Sequence, residues 1–263
     1  MNFSDDEIER YARHLVLAEI GGPGQQRLKA ARVAIIGLGG VGAPAALYLA
    51  AAGVGALRLI DDDEVGLSNL QRQIAFSEGD VGAPKVEAGS ARLTALNPHV
   101  EIEAACERLA PDNAAWLLEG CDVVVDGTDD FETRFATNAA CVAARVPLVS
   151  GALGRWSGQV GVFAGRPCYR CLVAEAPPDA ETCARVGVVG ALAGVVGSMA
   201  ALEAIKLITG AGEALTGRLL VYDGLAGTAR VARVAADPAC PVCAQGAAGA
   251  AATAGVTGRA AGR

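Results

Sequence analysis

Arg32-Val-Ala-Ile-Ile-Gly37-Leu-Gly39-Gly40-Val41-Gly42 is the stretch on which the fold turns. Its aliphatic residues read as a short buried strand ending in a glycine-rich turn. Ala43 to Ala52 then has helical composition, and Ala56-Leu-Arg-Leu-Ile-Asp61 repeats the strand pattern. A G-x-G-x-x-G turn between strand and helix suits a phosphate. Without side chains at Gly37, Gly39, Gly40 and Gly42, an anion approaches the backbone N–H groups at the positive end of the helix. Asp61, followed by Asp62 and Asp63, ends the second strand about 20 residues on, where a carboxylate accepts hydrogen bonds from a ribose. The alternative is a turn kept only for close helix–strand packing. Strand, helix and acid together point to an adenine nucleotide and leave open which one.

The same alternation continues outward. Val100–Ala104, the helical stretch Pro111–Glu119, Asp122–Asp126, the helix-like Glu132–Ala144 and Pro147–Ser150 follow in turn. Gly158–Phe163 reads as a further strand, and a meander of Arg218–Asp223 and Thr228–Val234 follows a long apolar helix. Val- and Ile-rich strands alternating with helices predict an α/β protein, a Rossmann-like, mostly parallel sheet with helices on both faces. Residues 1–165 form the nucleotide-binding region in this reading. Residues 166–244 are a C-terminal antiparallel extension of the same domain, and 245–263 are an Ala/Gly-rich tail. That tail holds too little large apolar surface to offset chain entropy, so it is expected to be disordered.

The 263 residues are 52% hydrophobic and 19% charged, enough to build a core and too apolar for a disordered chain. Lys+Arg 22 against Asp+Glu 29 leaves a net charge of −7, which excludes a general attraction to polyanions and makes nucleic acid an unexpected partner. The N-terminal MNFSDDEIERYARH lacks the apolar run of a leader. The longest uncharged apolar stretch, Val186 to Leu202, closes with Glu203 and Lys206 and is shorter than the roughly 20 residues of a bilayer span. It reads as a buried helix rather than a membrane anchor. Eight cysteines without a leader suggest reduced thiols and a cytoplasmic location.

Ser68-Asn69-Leu70-Gln71-Arg72-Gln73 places amides and a guanidinium just beyond the acids, and Lys85 follows in Gly82-Ala-Pro-Lys85. An Arg fork and a Lys point charge suit a triphosphate better than a nicotinamide. Each alone would be an ordinary surface charge; their order after the glycines favours ATP. A dehydrogenase would also need an acid or base. His14, in an amphipathic segment, and His99, in a turn, read as surface or packing residues. Asp126-Gly-Thr128-Asp129-Asp130 ends the fourth strand, where open parallel sheets bind ligands. Asp129 there suits Mg²⁺, a hard cation held by carboxylate and phosphate oxygens. Asp130 suits either that ion or the N-cap of the next helix.

Cys168-Tyr-Arg-Cys171 and Cys240-Pro-Val-Cys243 are two C-x-x-C knuckles. Four thiolates make a closed structural Zn²⁺ site; two independent redox pairs are the other reading, and neither knuckle opens a helix after a strand as a redox motif would. Cys106, Cys121 and Cys141 read as buried inert thiols. Cys183, in a polar loop near Arg185, is either a nucleophilic thiol or a chance exposed one. The knuckles are remote in sequence from the nucleotide motifs, so zinc is expected to support stability without touching ATP chemistry directly.

Arg10-Tyr-Ala-Arg13, Gly37–Gly42, Ser68–Gln73, Lys85, Thr128-Asp129 with Arg134, both knuckles and Glu203-Ala-Ile-Lys206 together resemble the HesA/MoeB/ThiF family. These are the bacterial sulfur-carrier adenylyltransferases, relatives of the ubiquitin-activating enzymes, and the match spans nearly all of residues 7–244. The resemblance implies ATP-dependent adenylation of the C-terminal glycine of a ubiquitin-like sulfur carrier of ThiS or MoaD type, for thiamin or molybdopterin biosynthesis. It further implies that Gly40 contacts the nucleotide, Asp61 the ribose, and Asn69, Arg72 and Lys85 the phosphates. Asp129 is the catalytic, Mg²⁺-linked acid, and Arg13 reaches the phosphates of a neighbouring subunit in a homodimer. Cys183 matches a loop cysteine that takes part in sulfur transfer in ThiF-like members. Two features depart from the family: Asp130 replaces the usual Asn, and no rhodanese-like domain follows, so a separate sulfurtransferase is expected. An NAD(P)-dependent oxidoreductase and a non-catalytic scaffold for a ubiquitin-like protein are the competing readings.

Overall fold

Alternate residues of the first strand face opposite cores, which is why the strand has no polar face. Val33 and Ile35 join one buried cluster with Leu57, Leu59, Val125 and Val149; Ala34 and Ile36 join the other with Ile60, Val124 and Leu148. Such double burial is the signature of a parallel sheet covered on both sides. The computed structural model describes residues 3–177 and 187–244. Helices α1 (Asp5–Arg10), α2 (Ala12–Leu15) and α3 (Gly21–Ala30) lead into β1 (Arg32–Ile36), α4 (Gly42–Ala52) and β2 (Ala56–Ile60). Next come α5 (Lys85–Leu96), β3 (Glu101–Ala105), α6 (Ala114–Leu117), β4 (Val123–Asp126), α7 (Phe131–Ala144), β5 (Leu148–Leu153) and β6 (Ser157–Phe163). The chain continues with α8 (Tyr169–Leu172), α9 (Gly190–Thr209), β7 (Arg218–Asp223) and β8 (Thr228–Arg233).

The strands form one eight-stranded sheet in the order β3-β2-β1-β4-β5-β6-β7-β8. Pairings from β3 through β5 are parallel, and β5 to β8 run as an antiparallel meander. The α/β class and the antiparallel C-terminal extension therefore follow the sequence reading. Strand β5 runs beyond Ser150 because Gly151, Ala152 and Leu153 pair with Val160, Gln159 and Gly158 of the next strand, an extension that only the hairpin partner supplies. The helix expected over 111–119 contracts to α6, with Asn113 at its start donating to the Arg108 carbonyl and accepting from Ala110 N–H. Helix α5, which the pattern reading passed over, buries Val86, Gly89 and Leu93 on one face.

The long apolar run becomes α9, which passes through Glu203 and Lys206 instead of ending there. Glu203 is buried; its carboxylate accepts the Leu215 N–H at 2.7 Å and pairs with Lys206 one turn on. By length and composition α9 is apolar enough to cross a membrane. Here it packs against α3, α4, β5 and β6, as a core helix does. The tail from 245 to 263 lies outside the described residues.

Strand order reverses between β1 and β4, and there the two chains touch through glycine. Gly37 has φ +79°, a conformation other residues resist, and a methyl at Gly42 would lie 1.8 Å from the Gly37 carbonyl oxygen. A methyl at Gly127, just past β4, would lie 2.6 Å from the Gly42 nitrogen. At Gly39 the nearest atom outside its neighbours is 3.8 Å away. Gly42→Ala is therefore expected to lower stability by about 3 kcal/mol, roughly 6–12 °C in thermal midpoint, whereas Gly39→Ala melts within about 2 °C of the parent. Scanning calorimetry of both variants checks the contrast.

Candidate active site

At the carboxyl ends of β1, β2, β4 and β5 the structure opens a cleft of about 340 Å³. The turn after β1 brings Gly37, Gly39 and Gly40 to it, and the end of β2 brings Asp61. Asn69, Arg72 and Gln73 enter from the next loop, Lys85 from the start of α5, and Thr128, Asp129 and Asp130 from the end of β4. Residues spread from 37 to 130 thus converge on one side of the sheet, at its topological switch point. Neither histidine reaches it. His14 contacts Gln25 at 2.9 Å, and His99 lies exposed on the surface.

Both carboxylate oxygens of Asp61 bind main chain: Oδ2 accepts the Leu38 N–H at 2.6 Å and Oδ1 the Asp63 N–H at 2.8 Å. The acid thereby pins the glycine turn, and each oxygen retains a lone pair for a ribose hydroxyl. Burial pushes the Asp61 carboxyl up, opposed by the Lys85 charge and these two N–H groups. Lys85 is buried, with Nζ 2.7 Å from Asp63 Oδ2 and 4.0 Å from Asp61 Oδ1. Arg72 is less engaged. Its guanidinium donates to the Ser68 carbonyl at 3.2 Å, and its stem runs beside Gly40, where a methyl would lie 3.7 Å from Arg72 Cδ.

Asp129 is exposed, and its side chain makes no hydrogen bond or salt bridge with the described residues. Asp62 and Asp63, by contrast, are taken by Arg108 and Lys85. Of the two roles open to Asp130, the structure displays the N-cap: its Oδ1 accepts the Thr133 N–H at 2.8 Å at the head of α7. Gln73 Oε1 is buried without a hydrogen-bond partner among the described residues, a cost that a donor from a bound group removes.

Five expected residues do not line the cleft. Gly42 closes the turn against Gly37, and Ser68 contributes only its carbonyl to Arg72. Leu70 packs on the hydrophobic core, and Gln71 presses its carbonyl against Gly190 at the head of α9. Arg13 sits exposed on α2, away from the cleft of its own chain. The structure adds residues the motif reading did not assign to the site. Arg134, buried beneath the floor, donates to the Thr128 carbonyl, to Gly151 O at 2.8 Å and to Ser150 Oγ at 2.9 Å, and faces Asp126 at 3.7 Å. Asp126 Oδ1 accepts from Thr128 N–H at 3.0 Å and from its hydroxyl at 2.7 Å. Arg108, Gln159 and Tyr169 also line the walls. Only Arg134 carried a sequence signal, as part of the motif with Thr128-Asp129 on which the family resemblance rests.

The four knuckle cysteines gather at one buried point, with all four Sγ atoms within 4.8 Å of one another. Cys168 and Cys240 approach to 3.6 Å and Cys171 and Cys243 to 3.4 Å. With metal–sulfur bonds of about 2.3 Å a tetrahedral site has sulfurs about 3.8 Å apart, so these residues fit a four-thiolate metal. The close pairs join one knuckle to the other, which opposes the reading of two separate redox pairs. Burial pushes the Cys240 thiol up, but the N–H groups of Cys243 and Val242, with the Cys243 and Cys168 thiols beside it, bring it below its usual value. Cys121 and Cys141 are buried and their thiols are pushed up by that burial. Cys106 is exposed, contrary to expectation, because it follows β3 at the outer edge of the sheet. Cys183 lies outside the described residues.

A glycine turn faced by Arg72 and Lys85 at a switch point belongs to the class of α/β domains that bind nucleoside phosphates. The chain is a member of the ThiF family, which it matches over residues 11–242. It is 46% identical over 222 residues to the SAMP-activating enzyme E1 of Haloferax volcanii, covering 83% of this chain and 82% of that one. It is 44% identical over 239 residues to the sulfur carrier protein adenylyltransferase of Thermus thermophilus, covering 88% of each. With the adenylyltransferase and sulfurtransferase MOCS3 of Anopheles gambiae it shares 48% identity over 225 residues, 84% of this chain and only 51% of that relative. This family membership makes the chain an adenylyltransferase and sets aside the oxidoreductase reading. The fold alone is shared with Escherichia coli MccB bound to MccA-N7isoASN, with a TM-score of 0.80 at 24% identity over 92% of this chain and 75% of that one.

Lys85→Met removes the cation beside buried Asp61 and is expected to destabilise the chain by about 1–3 kcal/mol, while Arg72→Ala changes stability by less than about 0.5 kcal/mol. Urea unfolding midpoints measure the difference.

Proposed function

We propose that this protein uses ATP to adenylate the C-terminal glycine carboxylate of a ubiquitin-like sulfur-carrier protein of ThiS or MoaD type, serving thiamin or molybdopterin biosynthesis. The observation that carries the reading is the cleft itself: Arg72 and Lys85 on one side of the glycine turn, and the unpaired Asp129 carboxylate at the end of β4. A carboxylate is a poor acyl donor until it is bonded to a better leaving group. In the proposed reaction an oxygen of the carrier carboxylate forms a bond to the α-phosphorus of ATP. The bond to the bridging oxygen breaks, and pyrophosphate leaves with the electron pair.

The chain's own groups act on charge and position. Backbone N–H groups of Gly39 to Val41, at the head of α4, face the phosphates, while the Leu38 N–H stays with Asp61, whose carboxylate accepts from the ribose. Arg72 and Lys85 offset the charge that builds on the leaving pyrophosphate. Lys85 keeps its Asp63 contact at 2.7 Å, so it is held extended toward the cleft by a partner of its own. Asp129 would hold Mg²⁺, which supplies further neutralisation of phosphate oxygens when bound. Zn²⁺ is the metal proposed for Cys168, Cys171, Cys240 and Cys243, as their all-sulfur donor set and spacing support.

Arg13 supports a homodimer, since it is exposed on α2 and outside its own cleft, free to enter that of a second copy. Sulfur is proposed to come from a separate sulfurtransferase, with the reaction in the cytoplasm.

ATP–pyrophosphate exchange with purified ThiS-type and MoaD-type carriers tests the proposal. Exchange is expected to require one carrier with its terminal glycine intact and to fall about 100-fold or more in Asp129→Ala and Arg72→Ala. Exchange that ignores the terminal glycine would reject the carboxylate as substrate. Metal analysis of the purified chain is expected to find one zinc per chain, and its removal to lower the thermal midpoint.

A further inference from the structure

The cysteine centre is separated from the nucleotide motifs in sequence but not in space. Tyr169, the residue after Cys168, is 4% exposed and lines the cleft. Its N–H donates to Asn138 Oδ1 at 2.7 Å, and Asn138 Nδ2 faces Cys168 Sγ at 3.6 Å. One turn earlier on α7, Arg134 lies with its guanidinium carbon 5.9 Å from the Tyr169 ring centre. That same guanidinium ties the Thr128 carbonyl to Gly151 and Ser150, stitching the end of β4 to β5. Phe163, 5.6 Å away at 88°, and Phe135, at 6.2 Å, pack against the tyrosine ring. The whole contact hangs on α8, a helix of four residues with Cys168 at its N-cap and Cys171 within it. A single turn has no stability of its own and is held by what lies at its ends.

We propose that Tyr169 is a positioning residue linking the four-cysteine centre to the cleft, so that metal in the centre orders the loop carrying Thr128 and Asp129. Metal on all four sulfurs fixes α8, α8 fixes the ring over Arg134, and Arg134 fixes the Thr128 carbonyl. Loss of metal leaves Tyr169 with Asn138 and its aromatic neighbours alone, opens one wall of Arg134 to water, and loosens the loop. The order of the loop stands on these contacts; its consequence for ATP rests on the proposed function.

Hydrogen exchange of the full-length protein, metal-loaded and chelator-treated, well below its thermal midpoint, reads the loop directly. Peptides over 127–131 are expected to exchange about tenfold faster after metal removal while those over β1 and β2 are unchanged. Metal-loaded Tyr169→Leu, retaining its metal content, is expected to show the same local loss, and Tyr169→Phe, which keeps the ring but not the hydroxyl that meets Arg134, to recover part of it. Titration with ATP alone, without carrier, should weaken about fivefold in the samples with a loosened loop. Unchanged exchange at 127–131 in Tyr169→Leu, or a uniform rise across the chain on metal removal, would overturn the coupling. A loosened loop in a protein that binds no ATP would leave the coupling standing and reject the proposed function instead.

Discussion

Backbone meets backbone where β1 and β4 end. The carbonyl of Gly37 lies where a methyl of residue 42 would be, and the Gly42 nitrogen lies where a methyl of residue 127 would be. Two strands diverge to opposite sides at this point, and only bare main chain lets their turns approach so closely. The cleft follows from that approach. Asp61, at the end of the next strand, pins the turn through Leu38 N–H, and Asp126 and Arg134 pin the facing segment. The glycines that look permissive in sequence divide into two kinds: Gly42 and Gly127 serve packing, whereas Gly39 leaves space facing the cleft.

Around this crossing the charges are arranged in pairs that carry more than one duty. Lys85 neutralises Asp63 and faces Asp61 while lining the cleft. Arg134 is wholly structural in its contacts, with three oxygen acceptors and one facing carboxylate. Burying such a group is costly unless its donors are filled, and filling them makes one loop geometry preferred over others. Asp129 is the contrast: an exposed carboxylate lining the cleft, with no hydrogen bond or salt bridge among the described residues. The fixed groups beneath are what electrostatic preorganisation requires.

The cysteine centre extends the same logic to the C-terminal part of the chain. It joins α8 and the residue before it to the segment after β8, and closing so long a loop is where a cross-link restrains the unfolded chain most. Through Asn138 and Tyr169 it also abuts the residues that shape the cleft. A site that looks like a distant staple in linear order is thus two side chains, Tyr169 and Arg134, from the loop bearing Asp129.

Much of the fold was legible because its signals are local. Double-sided apolar strands, a glycine turn before a helix and an acid at the end of the next strand depend on neighbours in sequence, and β1, β2, β4 and β6 lie within a residue or two of where the pattern puts them. The candidate site was legible where its residues sit at strand ends, since topology alone carries Asp61, Thr128 and Asp129 to one edge. Tertiary structure decided the rest. Whether Asp130 caps a helix depends on where α7 begins, and whether Gln71 faces the cleft depends on α9, more than a hundred residues away. The roles of Arg134 and Tyr169 arise from contacts among α7, α8 and β5 that no periodicity encodes. Residue type and spacing determine which backbone is comfortable and which chemistry is present; only packing decides which of those groups touch, because contact is set by the shortest path through space and not along the chain.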